Sequence, residues 1–222
     1  PTETRPMDLL YTAHIPAGPG PFPAVLALHG YGASAHDLLG LAPQLRRGEV
    51  VYLCPQGPLT LEIGPGQRGY AWFPIDPSGQ VSAPALVGAR GVLEGFLDDA
   101  LRIHPIDPGR ITILGFSQGG VMAYDLALGR PDRFKALVAL SSWLPDAVVQ
   151  GLRTDPARAA LPTLLMHGTK DPMIAIDNAR RARAQLESMG MQVAWGEYDM
   201  GHEINPQAAR DLLGWLTAGP LA

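Results

Sequence analysis

Predominantly apolar runs of four or five residues recur at positions 24–28, 50–53, 111–114, 136–140 and 163–166. A strand that faces water on one side alternates apolar with polar residues. Continuous runs of this length instead mark strands buried on both faces, as in a parallel sheet. Between them, apolar residues recur at helical spacing over 37–45, 83–103, 118–128 and 177–189, and again near 207–216. Residues 8–15 are patterned as a short half-buried strand and 192–198 as a last strand. This alternation of strand and helix predicts a mostly parallel, doubly wound sheet flanked by helices. Residues 56–79 are dense in proline and glycine and are expected to form a long loop roofing one side of a site. No insertion between 140 and 162 is long enough for a large cap domain.

At 222 residues, with 46% hydrophobic and 17% charged side chains, the chain suits one buried core, so a single domain over 1–222 is expected. The formal net charge of −4 and the lack of a basic run argue against nucleic acid as a partner. Cys54 is the only cysteine, which excludes an internal disulfide and a thiolate metal cluster. No apolar stretch is long enough to span a bilayer and no export signal is visible, so a cytoplasmic protein without integral membrane association is expected. An exposed apolar face would suffice to pair two chains as a homodimer.

In doubly wound sheets the site lies outside the carboxyl ends of the strands, so the residues that follow each run matter most. The run 111–114 leads into Gly115-Phe116-Ser117-Gln118-Gly119-Gly120 and then an alanine- and leucine-rich helical segment. Glycine at i−2 and i+2 of a serine is a steric demand of a sharp strand-to-helix turn, which would stand Ser117 Oγ clear of the sheet. A serine hydroxyl is a poor nucleophile at neutral pH and needs a histidine as base and a carboxylate to orient it. Loops after later strands carry Asp171 and His202, in the order serine, aspartate, histidine of the α/β-hydrolase arrangement. Asp177 is better placed to start a helix, and Asp199 is too near His202 in the chain. His14, His36 and His104 fall in strand or helix segments, and His167 ends a strand where it would be buried. Oxyanion donors are expected from the backbone N–H of Gln118 and from the loop His29-Gly30-Tyr31-Gly32, at Tyr31.

These motifs, together with Ala71-Trp72-Phe73, Leu140-Ser141-Ser142-Trp143-Leu144-Pro145, His167-Gly168 and Gly201-His202-Glu203, resemble the phospholipase/carboxylesterase family of α/β-hydrolases, which includes the acyl-protein thioesterases. The resemblance implies an α/β-hydrolase fold, a triad of Ser117, Asp171 and His202, and an oxyanion hole formed by the backbone of Tyr31 and Gln118. The chain departs from the family pattern at Pro74, where aspartate is usual, and at Ala175, where proline is frequent. The expected function is a serine carboxylesterase acting on short- to medium-chain esters through an acyl-enzyme, without metal or organic cofactor. A lysophospholipase or acyl-protein thioesterase acting on long acyl chains is the alternative, so the partner is a small-molecule ester or acyl lipid. A non-catalytic ligand-binding relative is the remote one. Trp72, Phe73, Trp143, Leu144, Met173 and Ile174 are expected to line an acyl groove, although each is also suited to a core.

Overall fold

The computed structural model describes residues 9–45, 48–76 and 81–222. Seven strands form one sheet in the order β1-β3-β2-β6-β7-β8-β9, with β1 (Tyr11–His14), β2 (Phe22–Leu28), β3 (Val51–Pro55), β6 (Ile106–Phe116), β7 (Ala136–Leu140), β8 (Thr163–Gly168) and β9 (Val193–Tyr198). Only β1 runs antiparallel to its neighbour; the other five pairings are parallel. The helices are α1 (Ala83–Ile103), α2 (Gln118–Gly129), α3 (Asp146–Gly151), α4 (Ile176–Ser188) and α5 (Pro206–Ala218). The prolines and short polar residues that open them act locally. Asn205, for instance, caps α5 by accepting the Ala208 N–H at 2.8 Å, and Pro206 fills a position whose N–H would have no partner.

The continuous apolar runs have the cause expected of them. Alternate residues of each strand enter two separate clusters, Leu26, Ile113, Leu137 and Leu165 on one face and Val25, Leu114, Val138 and Leu164 on the other. The first face packs against Leu93, Phe96, Met122, Tyr124 and Leu186 of α1, α2 and α4. The second packs against Leu212 and Leu216 of α5 and against Ala42 and Leu45. Both faces of the central strands are therefore dry, and the carboxyl edge is left for chemistry. Between β7 and β8 the chain inserts only α3 and a short turn, so among the described residues no large cap covers that edge.

Two expectations need correction. The helix expected over 37–45 is a 3-10 segment, Leu39–Gln44, because Pro43 lies inside it and supplies no N–H for an α-helical bond. The loop expected over 56–79 contains a β-hairpin, β4 (Leu59–Gly64) and β5 (Gln67–Ala71), turned at Pro65-Gly66 with Gly66 at φ +70°. The alternation Leu59-Thr60-Leu61-Glu62-Ile63 carries that strand signal, masked by the surrounding prolines and glycines. The last residues of that loop, 77–79, and Asp8 at the start of the first expected strand lie outside the described residues.

Candidate active site

β6 ends at Phe116, and the next residue turns the chain into α2. Ser117 sits at φ 54° and ψ −119°, a conformation that costs an L-residue energy. Three contacts hold it there: its N–H donates to Leu140 O at 2.9 Å, its carbonyl accepts from Ser142 Oγ at 2.7 Å, and Gly120 N–H donates to the same carbonyl at 2.9 Å. A side chain at Gly115 would collide with the Gly119 carbonyl, and one at Gly119 with the Leu28 carbonyl. The glycine spacing is thus explained by backbone packed on backbone. The N-terminus of α2, with its partial positive charge, is presented beside the serine.

The loop after β8 carries Asp171, whose side chain is fully buried. Its Oδ1 accepts the N–H groups of Met173 at 2.8 Å and Ile174 at 2.9 Å, and its Oδ2 accepts from His202 Nδ1 at 2.7 Å. Burial alone would raise its pKa, but the hydrogen bonds from Ile174, His202 and Met173 outweigh that and hold the carboxyl below its ordinary value. A carboxylate only accepts, so Nδ1 of a neutral His202 carries the proton and Nε2 has a free lone pair. The Phe116 ring lies 4.9 Å from the imidazole, centre to centre.

Ser117, Gln118 and His202 share an open cavity of about 420 Å³ with Tyr31, Ile75, Trp143, Met173, Ile174 and Asn178. Among the described residues, neither the Tyr31 nor the Gln118 backbone N–H meets an acceptor. Both are thus available to an oxygen. A groove of about 510 Å³ at the amino ends of β8 and β9, lined by Leu161, Pro162, Val193, Ala194 and Trp215, has no titratable side chain. Of these two, the smaller brings a serine and a histidine together. No group of three or more potential metal-ligating side chains occurs among the described residues, and none of the described helices is long and apolar enough to cross a membrane.

Residues 17–218 match the Phospholipase/Carboxylesterase family. The chain belongs to the phospholipase/carboxylesterase family. It is 26% identical to acyl-protein thioesterase 1 of Gibberella zeae over 209 residues, covering 86% of this chain and 88% of that protein. Its identity to acyl-protein thioesterase 1 of Yarrowia lipolytica is 27% over 217 residues, with 91% and 94% covered. Among solved structures, esterase PE8 aligns with a TM-score of 0.79 at 26% identity, over 95% of this chain and 98% of that one. The Bacillus cereus carboxylesterase reaches a TM-score of 0.79 over 94% and 93% of the chains, and at 22% identity that likeness is one of fold. The fold is that of the α/β-hydrolases, and the chain is a serine hydrolase.

Against this phospholipase/carboxylesterase frame, the six residues expected in the acyl groove divide. Trp143, Met173 and Ile174 line the cavity. Trp72, Phe73 and Leu144 do not: they are 2%, 1% and 6% exposed and belong to the core cluster beneath the sheet edge. Apolar residues at strand ends serve either purpose, and only packing separates them. Ile75 and Asn178 line the cavity and were not anticipated. Ile75 follows the Trp72-Phe73 motif by two residues, and Asn178 lies in the first turn of α4, close after Asp171; proximity to those motifs is the signal for both. His167 is buried, as expected. Its Nε2 donates to Ile174 O at 2.8 Å and lies 3.4 Å from Asp171 Oδ2, while burial lowers its pKa.

Proposed function

We propose that this serine hydrolase is a carboxylesterase for short- to medium-chain esters, with Ser117 as nucleophile, His202 as general base and Asp171 as the group that orients it. Ser117 Oγ attacks the ester carbonyl as His202 Nε2 takes its proton. The oxyanion is held by the backbone N–H groups of Tyr31 and Gln118, at the N-terminus of α2. Collapse expels the alcohol, which leaves with the proton from His202. Water then repeats the sequence on the acyl-enzyme, and Asp171 stabilises the imidazolium in both halves. The observation that carries this reading is the 2.7 Å bond between Asp171 and His202 beside a cavity that His202 shares with Ser117. Within the reading, residues 1–222 act as one domain in the cytoplasm.

What supports the chain-length preference is the cavity, which is open and has a half-exposed rim at Tyr31 and Ile75. A second reading, hydrolysis of long-chain acyl esters or protein thioesters, draws support from the relatives named acyl-protein thioesterase 1 and from the apolar character of that rim.

A p-nitrophenyl ester series from acetate to palmitate, run on the wild type and on Ser117→Ala, tests both. Turnover that peaks at short to medium chains and vanishes in the variant supports the carboxylesterase. A peak at palmitate moves the assignment to the second reading. Turnover retained by Ser117→Ala overturns the nucleophile.

A further inference from the structure

The two N–H groups assigned to the oxyanion come from separate elements, the loop after β2 and the first residue of α2. Between them lies residue strip 70–73, the end of the β4–β5 hairpin and its continuation, and buried hydrogen bonds tie that strip to both. On the α2 side, the Gln118 side chain is fully buried and spans two successive backbone groups. Its Oε1 accepts the Trp72 N–H at 2.9 Å, and its Nε2 donates to Phe73 O at 2.7 Å. On the loop side, Trp72 Nε1 donates to His29 O at 2.8 Å. Gly57 N–H donates to His29 Nε2 at 2.9 Å, so Nδ1 carries the proton and donates to Gly30 O at 2.7 Å. Beyond Tyr31, Gly32 N–H donates to Tyr70 O and Tyr70 N–H to Ala33 O, both at 2.9 Å. A side chain at Gly69 would collide with the Gly32 carbonyl, so hairpin and loop are packed backbone to backbone.

We infer that the Gln118 side chain is a positioning residue that, through Trp72 and Phe73, sets the separation of the two oxyanion donors; this rests on the assignment of Tyr31 and Gln118 N–H to that role. The chemistry of the side chain suits the task. A side-chain amide presents an NH₂ donor group and a carbonyl acceptor in one plane, as a neighbouring strand presents its N–H and C=O, and so satisfies the N–H of residue 72 and the C=O of residue 73 together. Methionine satisfies neither. An oxyanion hole acts only where its donors are fixed before charge develops, and displacement by about 1 Å costs on the order of a hundredfold in rate. The hairpin thus serves as a brace that holds the loop of Tyr31 in register with α2.

The test compares wild type, Gln118→Met and Trp72→Phe on p-nitrophenyl butyrate, with a trifluoromethyl ketone of the same chain length as inhibitor. That ketone adds Ser117 Oγ reversibly, and its hemiketal oxygen occupies the oxyanion position. The expected result for Gln118→Met is kcat lower by about ten- to a hundredfold, KM within about twofold, and ketone affinity lower by the same factor as kcat. Trp72→Phe keeps a smaller aromatic ring in the buried position but removes the indole N–H, and is expected to show the same pattern at about three- to tenfold. Wild-type kcat in both folded variants, a change confined to KM, or a loss of activity with ketone affinity unchanged overturns the inference. If Gln118→Met does not fold, Trp72→Phe alone decides. Phosphonate labelling of Ser117 in the wild type separates the two levels: no labelling removes the oxyanion assignment itself, whereas labelling with unaffected variants removes only the role of Gln118.

Discussion

Asp171 Oδ2 accepts a 2.7 Å hydrogen bond from His202 Nδ1, while Asp171 Oδ1 is held by the N–H groups of Met173 and Ile174. The two oxygens therefore have separate tasks, one shaping the loop and one orienting the imidazole. Asp171→Asn retains an oxygen for the loop but presents an NH₂ group to Nδ1. Two donors cannot face each other, so the imidazole places its proton on Nε2, where a base needs a lone pair. We expect kcat on p-nitrophenyl butyrate to fall by roughly 10³- to 10⁴-fold with the circular dichroism spectrum preserved. A loss below about tenfold would remove Asp171 from the mechanism.

Two buried histidines stand outside the proposed proton transfer and make stability sensitive to mild acid. Burial lowers the pKa of His29 and of His167 below their ordinary 6.5. Below pH 6.5 the unfolded chain binds protons that the folded chain does not, so the stability these residues contribute is present above 6.5 and is lost as pH falls towards their folded values. Each contributes a slope of at most about 1.4 kcal/mol per pH unit in that window. Asp171, with its pKa held below 3.8, adds its own loss only under more acidic conditions. Thermal unfolding between pH 7 and 5 should show a falling Tm in the wild type and a shallower fall in His167→Gln, which keeps a donor for Ile174 O without titrating. Equal slopes in the two proteins would show that His167 takes no part.

How far these features were legible in one dimension depends on whether the physical cause is local. Glycines 115 and 119 were legible because the elbow at Ser117 excludes side chains two residues away on either side. The strands were legible because both faces of the sheet are covered, so every position in 24–28 or 136–140 is apolar. Trp72 and Leu144 were not, since an apolar residue at a strand end satisfies a core and a groove equally well, and the choice depends on contacts with residues distant in the chain, for Trp72 with Gln118 and His29. The hairpin from Leu59 to Ala71 escaped because it packs on the loop of Tyr31 and leaves most of its residues exposed, so its composition is that of a loop.

The backbone at Ser117 provides a test of stored strain. Alanine keeps the side chain that disfavours φ 54°, ψ −119°, whereas glycine adopts that region freely. Relief of strain by glycine, about 1–3 kcal/mol, is offset by about 0.4–1 kcal/mol of added unfolded-state entropy. Ser117→Gly should therefore exceed Ser117→Ala in stability by about 1 kcal/mol, a Tm difference of about 2–4 °C in a domain of this size. Both should be inactive. A Ser117→Ala protein at least as stable as Ser117→Gly would show that the elbow carries no strain.

Leu144 and Met173 were both expected in the acyl groove, and the structure sends them to different places. Leu144 is 6% exposed within the core cluster, and Met173 is 75% exposed at the rim of the cavity. Truncation of a buried leucine removes packing and leaves a cavity, so Leu144→Ala should cost about 2–5 kcal/mol of stability. Its chain-length profile should keep the wild-type shape, because Leu144 does not line the cavity. Met173→Ala should leave the unfolding free energy within about 0.5 kcal/mol of wild type, as exposed substitutions do. Its effect should fall instead on kcat/KM, with octanoate losing more than acetate, because only the longer chain reaches the rim. Parallel urea unfolding and ester-series kinetics separate the two outcomes. A changed chain-length profile in Leu144→Ala with stability intact would return Leu144 to the groove, and an unchanged profile in Met173→Ala would mean that the acyl chain leaves the cavity by another side.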